Sequence, residues 1–144
     1  MDDRISKEKR SWNMSRIKGK ENALEIKVRK YLWHHGYRYR KNYSKLPGKP
    51  DIVLTKHMIV IFVNGCFWHH HDCQLGSMPK SNVEFWQSKF QRNRENDLKN
   101  IIELEQLGYA VITVWECELQ KDFEKRMAFL IDEIEYLINR NEML

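Results

Sequence analysis

Apolar positions along this chain follow two periods, and the switches between them mark six elements. Asn22-Ala23-Leu24-Glu25 opens a helix: Asn22 can cap it, Leu24, Val28, Tyr31 and Leu32 form its apolar stripe, and Gly36 ends it. Leu46-Pro47-Gly48-Lys49-Pro50 can only be a turn, because two prolines and a glycine interrupt any regular element. Asp51–Thr55 and Met58–Val63 then read as strands, and their β-branched, continuously apolar character predicts burial on both faces. The short connection Lys56-His57 predicts that these two pair antiparallel. A long helix is expected from Ser81 or Asn82 through Phe85, Trp86, Phe90, Leu98, Ile101, Ile102 and Leu107, stopped by Gly108. Ala110–Trp115 is a third buried strand, and Phe123, Met127, Leu130, Ile131, Ile134 and Ile138 stripe a last helix. This order predicts an α/β fold, a mixed central sheet flanked by helices.

Charge changes the picture at the start of the chain. Residues 1–21 lack sustained periodicity and carry Arg4, Lys7, Lys9, Arg10, Arg16, Lys18 and Lys20. They read as a basic arm ahead of one domain spanning 22–144. Residues 1–50 hold 15 Lys/Arg against 5 Asp/Glu, whereas the rest of the chain is net acidic. Such a basic third is an electrostatic footprint for nucleic acid, although a merely solvated basic surface has the same composition. The longest apolar run, Met58–Val63, is far too short to span a bilayer, and Met1-Asp2-Asp3-Arg4 does not open a leader. A cytoplasmic protein with no membrane partner is expected. In that reducing setting three cysteines argue for metal ligation over disulfides.

The chemistry concentrates in Cys66-Phe67-Trp68-His69-His70-His71-Asp72-Cys73 and the distant Cys117. Cys66, His71, Cys73 and Cys117 make a Cys₃His set for structural Zn²⁺, and four protein ligands leave no open position for catalysis. Spacing alone leaves His69 and His70 as alternative ligands to His71. Asp51, at the mouth of a strand after Pro-Gly-Lys-Pro, stands where phosphodiester-cleaving enzymes anchor Mg²⁺; Asp in a polar turn is the commoner case. The strand that follows ends beside the His-rich loop, which could bring His69 near Asp51. Asp97 shares a helix face with Phe90, Ile101 and Leu104, so its carboxylate needs a partner, either an imidazolium such as His69 or a base such as Arg94. Glu25, three residues after Asn22, fits a capping box at least as well as a functional role. Phe67 and Trp68 lie in a polar loop, where exposed aromatics can stack on bases or wedge between them; Trp86 fits that role or plain core. Lys89 and Asn93 line one helix face and could reach base edges or phosphates.

Several strings resemble the very short patch repair DNA mismatch endonucleases: Leu46-Pro47-Gly48-Lys49-Pro50-Asp51, Val60-Ile61-Phe62-Val63-Asn64-Gly65-Cys66-Phe67-Trp68-His69, Val114-Trp115-Glu116-Cys117 and Asn13-Met14-Ser15-Arg16-Ile17. The resemblance runs from about residue 11 to 120, and the Gly-Cys-Phe-Trp-His string is its most specific part. It implies a restriction-endonuclease-like fold and a single-strand nick in duplex DNA at T:G mismatches, which arise when 5-methylcytosine deaminates. By the same resemblance Asp51 and the backbone carbonyl of Val63 would bind magnesium, and His69 would activate water. Asp97 would orient His69, and Glu25 would join the magnesium and water network. Cys66, His71, Cys73 and Cys117 would hold zinc. Phe67, Trp68 and Trp86 would intercalate beside the mismatch, Met14 would enter from the opposite groove, and Lys89 and Asn93 would help read flanking sequence. Where the family places a histidine before Gly-Cys-Phe-Trp this chain has Asn64, which can position a phosphate or water but cannot exchange protons near neutral pH. One active site suffices to nick one strand, so a monomer is expected, with mismatch-repair proteins as candidate partners. The rival expectations are a catalytically silent zinc module that grips distorted DNA and a double-strand restriction nuclease.

Overall fold

A computed structural model describes residues 23–67, 71–73, 76 and 78–142. The basic arm, Met14 and the aromatic and two histidines at Trp68, His69 and His70 lie outside the described residues. Helix α1 runs through 23–34, followed by β1 (Arg40–Lys41), β2 (Ile52–Leu54), β3 (Ile59–Asn64), α2 (Val83–Gln106), β4 (Ala110–Trp115), α3 (Glu116–Lys121) and α4 (Phe123–Glu142). The four strands form one sheet in the order β1-β2-β3-β4. β1 and β3 both pair antiparallel with β2, and β4 pairs parallel with β3, as the crossover through α2 permits. The fold is mixed α/β, as its pattern predicts.

Alternation along the strands sorts side chains onto two unequal faces. Ile52, Leu54, Ile59, Ile61, Ile112 and Val114 point to one side, where Val28 and Leu32 of α1, Leu119 of α3 and Met127, Leu130 and Ile134 of α4 close over them. All are buried, each contributing about 1.5–3 kcal/mol, so this face carries most of the hydrophobic stabilisation. On the other side Val53 and Val60 meet Leu104 of α2, with Tyr43, Leu46, Phe62, Tyr109 and Val111 around them. That thinner layer covers only part of the sheet. The site lies where it stops.

Differences from the sequence reading follow one rule. β1 is two exposed basic residues, Arg40 opposite Val53 and Lys41 opposite Ile52, and nothing apolar announces it. Charge on an edge strand also discourages edge-to-edge association. Leu98 and Ile102, which read as part of the α2 stripe, are 60% and 46% exposed, because α2 buries only Trp86, Phe90 and Leu104. The stop at Gly108 is as expected: with φ at +94° it lets Tyr109 N–H reach the Leu104 carbonyl and Gly108 N–H the Glu105 carbonyl. The six-residue α3 was not foreseen; the Glu118 carboxylate accepts the Trp115 N–H at 2.8 Å to start it, and Asp122 caps α4 through Lys125 N–H.

Candidate active site and metal centre

Register places the first carboxylate. Because Ile52 pairs with Ile61, extending the ladder by one sets Asp51 opposite Phe62, which pairs with Thr113. All three belong to the α2 side of the sheet, together with Asn64 two residues beyond Phe62. Asp97 comes to the same place from α2, seven residues before buried Leu104. The result is a cleft of about 240 Å³ lined by Asp51, Phe62, Val63, Asn64, Asp97, Asn100 and Thr113, with the Gly48-Lys49 turn at its rim. Asp51 and Asp97, 46 positions apart in sequence, thus share one cavity.

Asp51 is held at both ends. Its Oδ2 accepts the Val63 N–H at 2.7 Å, and its carbonyl accepts the Asn42 N–H at 3.0 Å, continuing the β1–β2 pairing. A carboxylate tied to the backbone of the next strand keeps its orientation without spending a rotamer. Two carboxylates, two amides and backbone carbonyls make an oxygen-rich donor set of the kind a hard divalent cation takes. The Gly48 end of the turn packs onto α2, since a Cβ there would stand 2.9 Å from the Asn100 amide nitrogen. Lys49, whose backbone is also left-handed at φ +50°, brings a cation to the same cavity.

Immediately past β3 lies a second, chemically different centre. The ligand atoms of Cys66, His71, Cys73 and Cys117 all fall within 4.8 Å of one another. His71 Nδ1 stands 3.6 Å from Cys66 Sγ and 3.4 Å from Cys117 Sγ. Sulfur at about 2.3 Å and nitrogen at about 2.0 Å from a tetrahedral zinc stand roughly 3.5–3.8 Å apart, so the set fits that ion. Among the described residues, His71 is the histidine that faces the sulfurs. Burial pushes the thiols of Cys66 and Cys117 up, so a cation is needed to draw them into the thiolate form.

The cluster is framed by local backbone bonding. His71 N–H donates to the Cys66 carbonyl at 2.9 Å, Cys73 N–H to the His71 carbonyl at 2.7 Å, and Gly76 N–H to the Cys73 carbonyl at 3.1 Å. A Cβ on Gly76 would lie 2.1 Å from the His71 carbonyl oxygen, so only glycine fits there. Two residues escaped the sequence reading. Trp115 stacks its ring on His71 at 4.0 Å and 10°, fixing the imidazole plane. Glu116 is a buried carboxylate whose Oε1 accepts the Cys66 N–H at 3.1 Å while Oε2 accepts Gln120 Nε2 at 3.2 Å. A glutamate that starts a short helix looks like surface; only the return of the loop across 50 positions buries it.

The remaining predicted residues divide. Phe67 is half-buried rather than exposed, edge-on to Trp86 at 5.3 Å and to Phe90 at 5.6 Å, and Trp86 is itself only 7% exposed. Lys89 lies near the Phe85 and Trp86 rings, and it lines a shallow surface hollow with Asn93 and Arg92. Glu25 does not line the cleft; its carboxylate pairs with Arg29 at 2.7 Å. Burial raises its pKa, and Arg29 and Lys41 partly oppose that. The capping box proposed for it needs Asn22, which is outside the described residues.

Sheet, oxygen-lined cleft and adjoining Cys₃His cluster together define an α/β nuclease with a zinc-type structural centre. The family described as DNA mismatch endonuclease Vsr matches residues 2–75. The type II nicking enzyme V.NmeAIP of Neisseria meningitidis is 48% identical over 136 residues, 93% of this chain and 97% of that protein. V.XorIIP of Xanthomonas oryzae, also a type II nicking enzyme, is 40% identical over 134 residues, 92% and 98%. The DNA mismatch endonuclease Vsr of Escherichia coli is 41% identical over 120 residues, 83% and 77%. This chain belongs to the Vsr family and is a strand-nicking DNA endonuclease. Among the described residues no helix is long and apolar enough to cross a membrane.

Proposed function

We propose that the enzyme nicks one strand of duplex DNA at T:G mismatches, using magnesium held at Asp51 and the Val63 carbonyl. The observation that carries this reading is the cleft that gathers Asp51, Asp97 and Asn64 directly beside the Cys₃His cluster. Magnesium in that cleft would polarise the scissile phosphate and acidify a bound water. His69 takes the proton of the attacking water at one ring nitrogen, and Asp97 accepts the other ring N–H and so fixes its tautomer. Asn64 positions phosphate or water and exchanges no proton. Glu25 acts at one remove, through the water network around the metal.

On the DNA side, Phe67, Trp68 and Trp86 enter beside the mismatch, Met14 approaches from the opposite groove, and Lys89 and Asn93 contact the flanking sequence. Phe67 and Trp86 already form one aromatic wall, which supports a shared wedge that opens on binding. The names of the relatives support nicking over double-strand cutting, and the family description supports the mismatch as its target.

Two duplexes identical except for one T:G or C:G pair test the proposal under single turnover with magnesium. The T:G strand is expected to be nicked at least 100-fold faster, with EDTA abolishing the reaction. Equal rates on the two duplexes would overturn the mismatch assignment.

A further inference from the structure

Outside the cleft and the zinc-type cluster, α1 and β1 share a basic face. Arg29 and Lys30 project from α1, and Lys41 from β1, around a hollow of about 340 Å³ shared with Ile26 and Tyr39. Arg38 stands over the Trp33 ring at 3.6 Å, and Trp33 meets Tyr39 edge-on at 6.2 Å, so two aromatics floor the basic surface. Arg40, opposite Val53 in β1, lies over Tyr43 on the α2 side of the sheet and is not part of this face. Glu25 offsets one of these charges through Arg29. Lys30, Arg38 and Lys41 are all exposed.

Location gives the patch its meaning. β1 is the open edge of the sheet, and the residue after it, Asn42, donates its N–H to the Asp51 carbonyl. The basic residues therefore begin one residue from the segment that positions Asp51, at the same end of the sheet, with Lys41 turned to the α1 side and the cleft on the α2 side. A strand seated at the cleft must extend beyond it in both directions, and B-DNA presents a phosphate charge about every 1.7 Å along its axis. Guanidinium groups steadied on aromatic rings suit phosphate better than base edges, which need a helix or ribbon inserted in a groove.

We propose that the α1–β1 face is a second DNA-contact surface, engaging backbone phosphates of the duplex flanking the nick without reading its sequence. The inference rests on the assignment of this chain as a DNA endonuclease and is independent of mismatch preference. Phosphate contacts of this kind set affinity and register on the duplex, while specificity stays with the cleft and the aromatic wall.

The test is equilibrium binding of the full chain to perfectly paired duplex DNA across a salt series. Each phosphate contact contributes about 0.9 to the slope of log K against log salt. Lys30→Gln/Lys41→Gln should make that slope shallower by about 2 and weaken binding at least tenfold near 0.1 M salt, and Lys30→Arg/Lys41→Arg should restore it. Lys121→Gln/Lys125→Gln, an equal loss of charge on α3 and α4, should leave the slope unchanged. An unaltered slope in the α1–β1 variant, or an equal change in the α3–α4 variant, would overturn the proposal. Failure of the T:G preference would leave this result standing, and the reverse also holds.

Discussion

The two centres at the end of β3 are built on opposite plans. The Cys₃His cluster is closed: four soft ligands face one another, and Trp115, Glu116 and three successive backbone hydrogen bonds hold them from outside. The carboxylate cleft is open, lined by hard oxygen donors, and its geometry is inherited from strand register and from the packing of α2 rather than from local bonding. A closed soft site can only hold shape, whereas an open hard site can exchange water and admit phosphate. The two centres adjoin, since Cys66 follows the end of β3 by two residues.

If that division of labour is right, damage to each centre has its own signature. The largest effect is expected from Asp51→Ala, which should reduce nicking at least 10³-fold while duplex affinity, read by fluorescence anisotropy, changes little. Comparable loss of binding would mean that Asp51 holds the fold and not the reaction. Next comes Cys117→Ser, which removes one corner of the closed site. Zinc content by mass spectrometry should fall, and the melting temperature should drop on the order of 10 °C. Retained metal and an unchanged melting curve would contradict the role of the cluster.

Glu116→Ala sharpens the comparison, since it removes no ligand atom of either centre. It strands the buried Cys66 N–H, a cost of about 1–3 kcal/mol, and should speed zinc loss to a chromophoric chelator. Glu116→Gln keeps an acceptor and should lie between that variant and the wild type.

The smallest expected effect is at Glu25. Its folded-state pKa is raised, chiefly by burial, so ionising it costs stability once pH climbs past the ordinary carboxylate value. Glu25→Gln escapes that cost. It should be slightly more stable than wild type above about pH 5 and indistinguishable below about pH 4, with a difference under about 1 kcal/mol. Destabilisation at neutral pH would show that the Arg29 pair outweighs desolvation. Reduced nicking in the same variant would support its place in the water network.

The closed centre was the more legible of the two in the sequence, because cysteines are rare and their spacing is itself a signal. The structure adds that His71 turns Nδ1 toward two of the sulfurs. Asp51 and Asp97 were legible for different reasons: one followed a turn of prolines and glycine at a strand mouth, the other interrupted an apolar helix face. Lys49, Asn100 and Thr113 were not, since polar residues in a turn, on a helix and in a strand carry no mark of a shared cavity until register brings them together. The same limit hid β1, whose identity is pairing rather than pattern, and Glu116, whose burial depends on a contact 50 residues distant. Phe67 misled in the other direction. A polar loop suggested exposure, and the ring instead leans on α2.

The most direct measurement is a crystal structure of the enzyme with T:G duplex DNA in manganese chloride, with anomalous scattering recorded at the zinc and manganese absorption edges. Two separate ions are expected: zinc among Cys66, His71, Cys73 and Cys117, and manganese at Asp51 facing the phosphate. A manganese peak absent from Asp51, with the scissile phosphate seated elsewhere, would contradict the account.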